Sequence, residues 1–132
     1  MNIPLEELNY AFQDKPLVIG GNAMEYYGLR KAGADIDLVI SARDHENLRQ
    51  QYPNHIKELH GDLGVCEFDF EIWNQISRYD YEELRQEAVE EETFLVISLE
   101  RLMFLKTLAI KEEKNHRDVL MLASEILKRK YS

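Results

Sequence analysis

The chain has 132 residues, of which 45% are apolar and 31% are charged, a balance typical of one globular domain rather than of a disordered chain. The single cysteine, Cys66, excludes an internal disulfide framework and a zinc site built from several cysteines. No apolar run approaches the ~18 residues of a membrane span, and the first residues lack the basic start and apolar stretch of a signal peptide. We therefore expect a cytoplasmic protein.

The charge is strongly acidic and unevenly distributed. The formal net charge is -9, made up of -13 over residues 1–100 and +4 over residues 101–132. This balance argues against nonspecific nucleic-acid binding, and an anionic substrate would require a metal ion or a local basic patch. The basic tail marks a binding surface, or it places Lys128, Arg129 and Lys130 at the negative end of a terminal helix.

The first half of the chain predicts alternating helices and strands. In order, these are a short helix after Pro4, a buried strand over 17–19 ended by Gly20-Gly21, a helix over 23–27 that Asn22 caps, a strand over 35–40, and a helix over 42–51 that Ser41 and Asp44 begin and Pro53 ends.

The second half predicts more strands and then a pair of helices. In order, these are a short strand around Ile56, a strand over 65–73, a short helix opened by a capping box at Asp80-Glu83, an edge strand over 93–97, a helix from Leu99 to about Ile110 that Ser98 caps, and a last helix begun by Asn115 and Asp118. The strand over 65–73 has the clearest two-residue alternation. The order predicts a single α+β domain with a mixed sheet, its core at about 1–97 and a helical pair at about 98–132.

Two short motifs predict a phosphate site beside a metal site. Gly20, Gly21 and Asn22 follow a strand, where glycine lets backbone N–H groups and the start of a helix approach an anion. Asp35 and Asp37 lie two residues apart on the next strand, so their carboxylates project from one face. Two carboxylates sharing a divalent cation such as Mg²⁺ beside a phosphate-binding turn are what nucleotidyl transfer requires.

These residues resemble a known signature. The run from Gly20-Gly21 through Arg30 to Asp35-Ile36-Asp37-Leu38 resembles that of the nucleotidyltransferase-fold superfamily, which includes DNA polymerase β. It is most similar to small stand-alone bacterial members, including those of the abortive-infection and toxin–antitoxin type, and the path from Ile97-Ser98-Leu99-Glu100 to Lys106 and Arg117-Asp118 resembles their helical tail. The resemblance implies a mixed sheet flanked by helices, and transfer of a nucleoside monophosphate from a nucleoside triphosphate with Mg²⁺ or Mn²⁺.

The resemblance also implies a third carboxylate on a neighbouring strand. The strand over 65–73 offers Glu67, Asp69 and Glu71 on its polar face. Asp69, between two phenylalanines, is the first choice as a metal ligand with Asp35 and Asp37, or as the base that accepts the proton of the attacking hydroxyl. Glu71 is close behind, and an ordinary exposed strand face remains the alternative.

Two cations are candidates for nucleotide binding. Lys106 lies on an apolar helix, where it needs a partner. It contacts nucleotide phosphates, or it forms an ion pair with Asp118 or another acid. Arg30 steers phosphates from the loop before Asp35, or it is an ordinary surface residue.

The histidines predict no metal site. They lie in polar stretches without the spacing of metal ligands, which is typical of solvated positions: His45, His55, His60 and His116.

The leading hypothesis is a metal-dependent nucleotidyltransferase, with a protein side chain, a tRNA end or a small molecule as the acceptor. One alternative is a catalytically degenerate binding module, such as one half of a toxin–antitoxin-like pair. Another is a nucleotide sensor that performs no transfer. The shortness of the chain favours dependence on a protein partner or on self-association, because little of it remains to build an acceptor pocket.

Overall fold

The computed structural model of the chain describes residues 1–59 and 61–131. The strands within these residues are β1 (Leu17–Val18), β2 (Ile36–Val39), β3 (Ile56–Leu59), β4 (Asp62–Glu67), β5 (Phe70–Trp73), β6 (Gln75–Ile76), β7 (Tyr79–Asp80), β8 (Val89–Glu90) and β9 (Leu95–Val96). The helices are α1 (Gly20–Tyr26), α2 (Ala42–Gln51), α3 (Tyr81–Leu84), α4 (Leu99–Leu108) and α5 (Glu113–Tyr131), with 3-10 turns at Leu5–Leu8 and Pro53–His55.

A mixed sheet in the order β3-β4-β5-β2-β1-β9-β8 forms the centre of the fold, and β6 pairs with β7 in a separate hairpin. Strand β2 runs parallel to β5 and antiparallel to β1, while β1 runs parallel to β9. The predicted α+β class with a mixed sheet is confirmed. No helix in the described ranges is long and apolar enough to cross a membrane.

The middle of the sheet is buried on both faces. Leu17 of β1 packs into a cluster with α1, α4 and α5, and its neighbour Val18 packs into a second cluster with α2 and the N-terminal segment. Strands covered on both sides read as continuous apolar runs, as those over 17–19 and 38–40 do. Asp37 lies between Ile36 and Leu38, so its side chain lies on the face covered by α1, α4 and α5.

Three of the predicted helix caps are confirmed. The Ser41 side chain accepts a hydrogen bond from the backbone N–H of Asp44 at the start of α2, and Ser98 accepts one from Arg101 at the start of α4. Asp80 and Glu83 form the complete capping box of α3. These interactions span three residues, which is why local sequence reveals them.

The single strand predicted over 65–73 is wrong. Strands β4 and β5 are antiparallel and joined by the two-residue turn Phe68-Asp69, with Glu67 paired to Phe70. Phe68 adopts a left-handed backbone with φ of 53° and its side chain is 63% exposed, whereas Phe70 is 1% exposed. The apolar alternation continues through the turn, so it carried no sign of the reversal.

Several boundaries also differ from the prediction. Strand β9 is not an edge, because β8 over Val89–Glu90 pairs outside it. Helix α1 begins at Gly20 with Ile19 as its N-cap, so Asn22 does not cap it. Helix α5 begins at Glu113, which places Asp118 beyond its first turn.

The histidine prediction is wrong at one position. The His45 side chain on α2 is 1% exposed, and burial lowers its pKa. His55 and His116 are exposed, as predicted, while His60 lies outside the described residues.

Candidate active site

Two carboxylates meet on the helix-covered face of the sheet. Asp37 on β2 lies directly opposite Glu71 on the parallel strand β5. Burial, followed by the charge of Glu71, a hydrogen bond to it and the charge of Asp35, raises the pKa of Asp37 to about 7. Two carboxyl groups hydrogen-bond only when one carries a proton. At neutral pH the pair therefore needs a shared proton or a cation.

One oxygen of this pair lacks a partner. The buried Oδ1 of Asp37 accepts no hydrogen bond from residues 1–59 or 61–131. A buried acceptor without a donor is destabilising, so such an atom points to an unfilled chemical role. A metal ion or a proton would satisfy this oxygen.

Gly20 makes room for Asp37. Its φ is +63°, and a Cβ atom built on it would lie 2.5 Å from Asp37 Oδ2. Both the backbone conformation and the close approach exclude an ordinary side chain. The first predicted glycine therefore positions the carboxylate directly, while Gly21 lines the neighbouring cleft.

Asn22 has a positioning role in the structure. Its side chain is 6% exposed, and its Nδ2 donates a hydrogen bond to the backbone oxygen of Asp35 at 3.1 Å. This bond ties α1 to the chain just before β2. Asn22 therefore helps to fix where Asp35 and Asp37 lie.

A cationic cluster stands beside the acids. Asp118 on α5, with a side chain 3% exposed, accepts hydrogen bonds from Arg30 Nε and Nη2, both at 2.7 Å, and lies 3.0 Å from Lys106 Nζ on α4. Burial alone would raise the pKa of Asp118, but hydrogen bonds from Arg30 and Lys106 hold it below its ordinary value. The Asp118 hydrogen bond raises the pKa of Arg30. The predicted alternative of a Lys106–Asp118 ion pair is confirmed.

A cleft of about 620 Å³ joins the two groups. Its lining is Gly21, Arg30, Gly33, Ala34, Asp35, Asp37, Lys106, Glu113, Lys114, Arg117 and Asp118. The charge of Lys106 also acts on Asp37, lowering its pKa against the larger effects of burial and Glu71. Asp35 and Asp37, at the start of β2, therefore face the same space as the cations of α4, α5 and the loop before β2.

The structure brings most predicted site residues to this cleft, but not all of them. Gly21, Arg30, Asp35, Asp37 and Lys106 line it. The remaining predicted residues do not line the cleft, namely Gly20, Asn22, Glu71 and Asp69.

Asp69 belongs to the exposed hairpin turn, where its backbone oxygen accepts a hydrogen bond from Ile36 N. Glu71 is the carboxylate paired in register with Asp37, whereas Asp69, the predicted first choice, lies in the turn between β4 and β5 rather than on one continuous strand.

The sequence analysis did not place two cations of α5 in the cleft. Lys114 was not singled out, and Arg117 was noted only within the resemblance and at the helix start. The +4 charge of residues 101–132 was the signal that could have indicated them.

The acids fit a divalent cation in part. Across the described ranges, no three His, Cys, Asp or Glu side chains converge into a complete ligand set. Asp37 and Glu71 nevertheless provide hard oxygen ligands at one point, with the Oδ1 atom unfilled and Asp35 nearby. Mg²⁺ keeps several ligands from water or phosphate, so two or three carboxylates suit it.

Comparisons with protein-family models, with curated proteins and with solved structures gave no match. What the site does must therefore be inferred from its own chemistry.

Proposed function

We propose that the chain is a metal-dependent nucleotidyltransferase that moves a nucleoside monophosphate from a nucleoside triphosphate to a hydroxyl acceptor. The observation that carries this proposal is the partly buried Asp37, which has an unfilled oxygen, lies opposite Glu71 of β5 and lines a cleft that also contains cations. The run from Gly20-Gly21 to Asp35-Ile36-Asp37 resembles the signature of the nucleotidyltransferase-fold superfamily, and this resemblance points to the same chemistry.

Asp37 and Glu71, with Asp35 at the rim, would hold the divalent cation. Mg²⁺ or Mn²⁺ bound there supplies charge neutralisation of the phosphates. The carboxylates contribute fixed negative oxygens because Gly20 and Asn22 hold β2 and the chain before it in place. Pre-positioned ligands of this kind need no rearrangement during the reaction.

In the proposed step, the acceptor oxygen forms a bond to the α-phosphorus. The bond between that phosphorus and the oxygen bridging to the β-phosphate breaks, and pyrophosphate leaves with the electron pair. The hydroxyl proton passes to a neighbouring carboxylate acting as the general base, Glu71 or Asp37.

The cationic side of the cleft serves the leaving group. Pyrophosphate gains negative charge as the bond breaks, and cations already in place lower the free energy of that state. The Arg30–Asp118–Lys106 cluster carries a net positive charge because two cations share one carboxylate.

The test uses nucleoside triphosphates labelled at the α-phosphate, offered with Mg²⁺ or Mn²⁺ to the protein together with protein, tRNA and small-molecule acceptors. We expect the label to enter one acceptor class, and label at the γ-phosphate not to enter. Asp37→Asn and Glu71→Gln should abolish transfer, while the exposed-turn control Asp69→Asn should keep it.

Three results would contradict the proposal. Transfer that survives in Asp37→Asn would exclude this site. Tight, metal-dependent nucleotide binding without transfer to any acceptor would instead favour a nucleotide sensor, and absence of metal-dependent binding would favour a partner-binding module.

A further inference from the structure

Arg30 and Lys106 both pair with the single carboxylate of Asp118. Arg30 donates Nε and Nη2 to Asp118, and its Nη1 donates to the backbone oxygen of Lys31 at 3.0 Å. Lys106 Nζ lies 3.0 Å from Asp118 Oδ2, with its side chain only 13% exposed. These groups shape the cleft, but their donors are mostly committed within the protein.

Arg117 is in the opposite situation. It is adjacent to Asp118 in sequence and lines the same cleft, yet it is exposed. Within the described part of the chain, its side chain makes no hydrogen bond or ion pair. Lys114, one turn earlier, makes only an exposed contact with Glu112 at 3.5 Å, and exposed pairs of this kind are weak.

Helix stability does not explain a cation at Lys114. It lies in the first turn of α5, where the helix dipole favours acids rather than bases, and Arg117 lies just beyond that turn. Asn115 fixes this start: it is 3% exposed and its Nδ2 donates to the backbone oxygen of Ala109 at 2.9 Å. The start of α5 therefore presents both cations at the cleft, Lys114 with only its exposed contact to Glu112.

We propose that Arg117, with Lys114 beside it, binds the outer phosphates of the nucleoside triphosphate. This inference rests on the proposed function and names the residues that select a triphosphate over a monophosphate. The guanidinium group of Arg117 offers paired donors that match phosphate oxygens. Arg30 and Lys106 then line the cleft wall without being the main determinants of affinity.

The experiment measures binding of ATP, AMP and inorganic tripolyphosphate, each with Mg²⁺, by calorimetry. We expect Arg117→Gln to weaken the affinity for ATP and for tripolyphosphate by about tenfold, as for loss of one charge-assisted hydrogen bond. The affinity for AMP should stay within about twofold of the wild-type value. The double variant with Lys114→Gln should weaken both further and reduce the salt dependence of binding.

The matched control removes two cations from the far end of the same helix. Lys128→Gln/Lys130→Gln should bind both polyphosphates as the wild type does. Arg117 and Lys114 are exposed, so their variants should also unfold within about 0.5 kcal/mol of the wild type. Mg²⁺ binding without nucleotide should be unchanged, because Asp37 and Glu71 remain.

Three results would overturn the inference: full polyphosphate affinity in the double variant, equal weakening of AMP and ATP, or equal weakening in the control. If the double variant binds ATP normally while α-phosphate transfer persists, this inference fails and the proposed function stands. If polyphosphate binding depends on Arg117 but no acceptor is ever labelled, the proposed function fails instead.

Discussion

Replacing Asp37 by asparagine should stabilise the metal-free protein at neutral and alkaline pH. Burial and the adjacent Glu71 raise the pKa of Asp37 to about 7, from an ordinary value of 3.8. Between these values the folded chain binds more protons than the unfolded chain. Stability therefore falls as pH rises through this window, and the loss is complete above it. Asparagine keeps the shape and removes the titration.

The expected size follows from the two pKa values. Between pH 5 and pH 8, ionisation of Asp37 lowers the stability of the wild type by about 2–3 kcal/mol. The variant has no carboxyl group at this position and does not lose this stability. Urea unfolding with a chelator present at both pH values measures it. The difference between variant and wild type should grow by that amount, since other titrating groups are common to both proteins.

Two additions sharpen the measurement. The exposed-turn variant Asp69→Asn should stay within about 0.5 kcal/mol of the wild type at both pH values. Mg²⁺ at pH 8 should stabilise the wild type, because a ligand that binds only the folded state stabilises it, and should not stabilise Asp37→Asn. A pH-independent difference, or a variant less stable than the wild type at pH 8 without metal, would refute the reasoning.

Four further substitutions test the geometry by thermal or urea unfolding. Gly20→Ala should destabilise by about 1–3 kcal/mol, because its Cβ would meet Asp37 Oδ2 and its φ is positive; an unchanged midpoint would contradict the close approach. Phe70→Ala should lower the stability by about 3–5 kcal/mol, while Phe68→Ala should lower it by under about 0.5 kcal/mol. Equal losses would favour the single strand over 65–73. Asp118→Asn should destabilise by about 2–4 kcal/mol, since it leaves two cations without their carboxylate; a neutral result would show that the ion pairs are loose.

The local parts of this fold were predictable because their causes lie within a few residues. Ser41 and Ser98 each accept a hydrogen bond from the backbone N–H three residues later in the chain, and such contacts leave a direct sequence pattern. The strand over 36–39 is recognisable from its alternation and its branched residues. Asp37 was therefore placed correctly on that strand, whereas Asp35 lies just before it.

The parts that were missed depend on distant partners. The Phe68-Asp69 turn has no glycine or asparagine, so nothing local marked the reversal that places Asp69 in an exposed turn. Asp118 and Arg30 are 88 residues apart, and only the packing of α5 over the sheet brings them together. Residue type gave the chemistry of the site, but tertiary contacts decided which carboxylate and which cations belong to it.

The uneven charge of the chain has a spatial cause in this arrangement. Its acidic first part carries the Asp37–Glu71 pair, which opposes folding at neutral pH unless a proton or cation joins it. Its basic last part supplies Lys106 and the exposed cations of α5, which reach the same cleft through the α4–α5 pair. The unfilled Asp37 oxygen and the exposed cations of α5 line one cleft of about 620 Å³, and in the proposed function they are the groups that a metal-bound polyphosphate would contact.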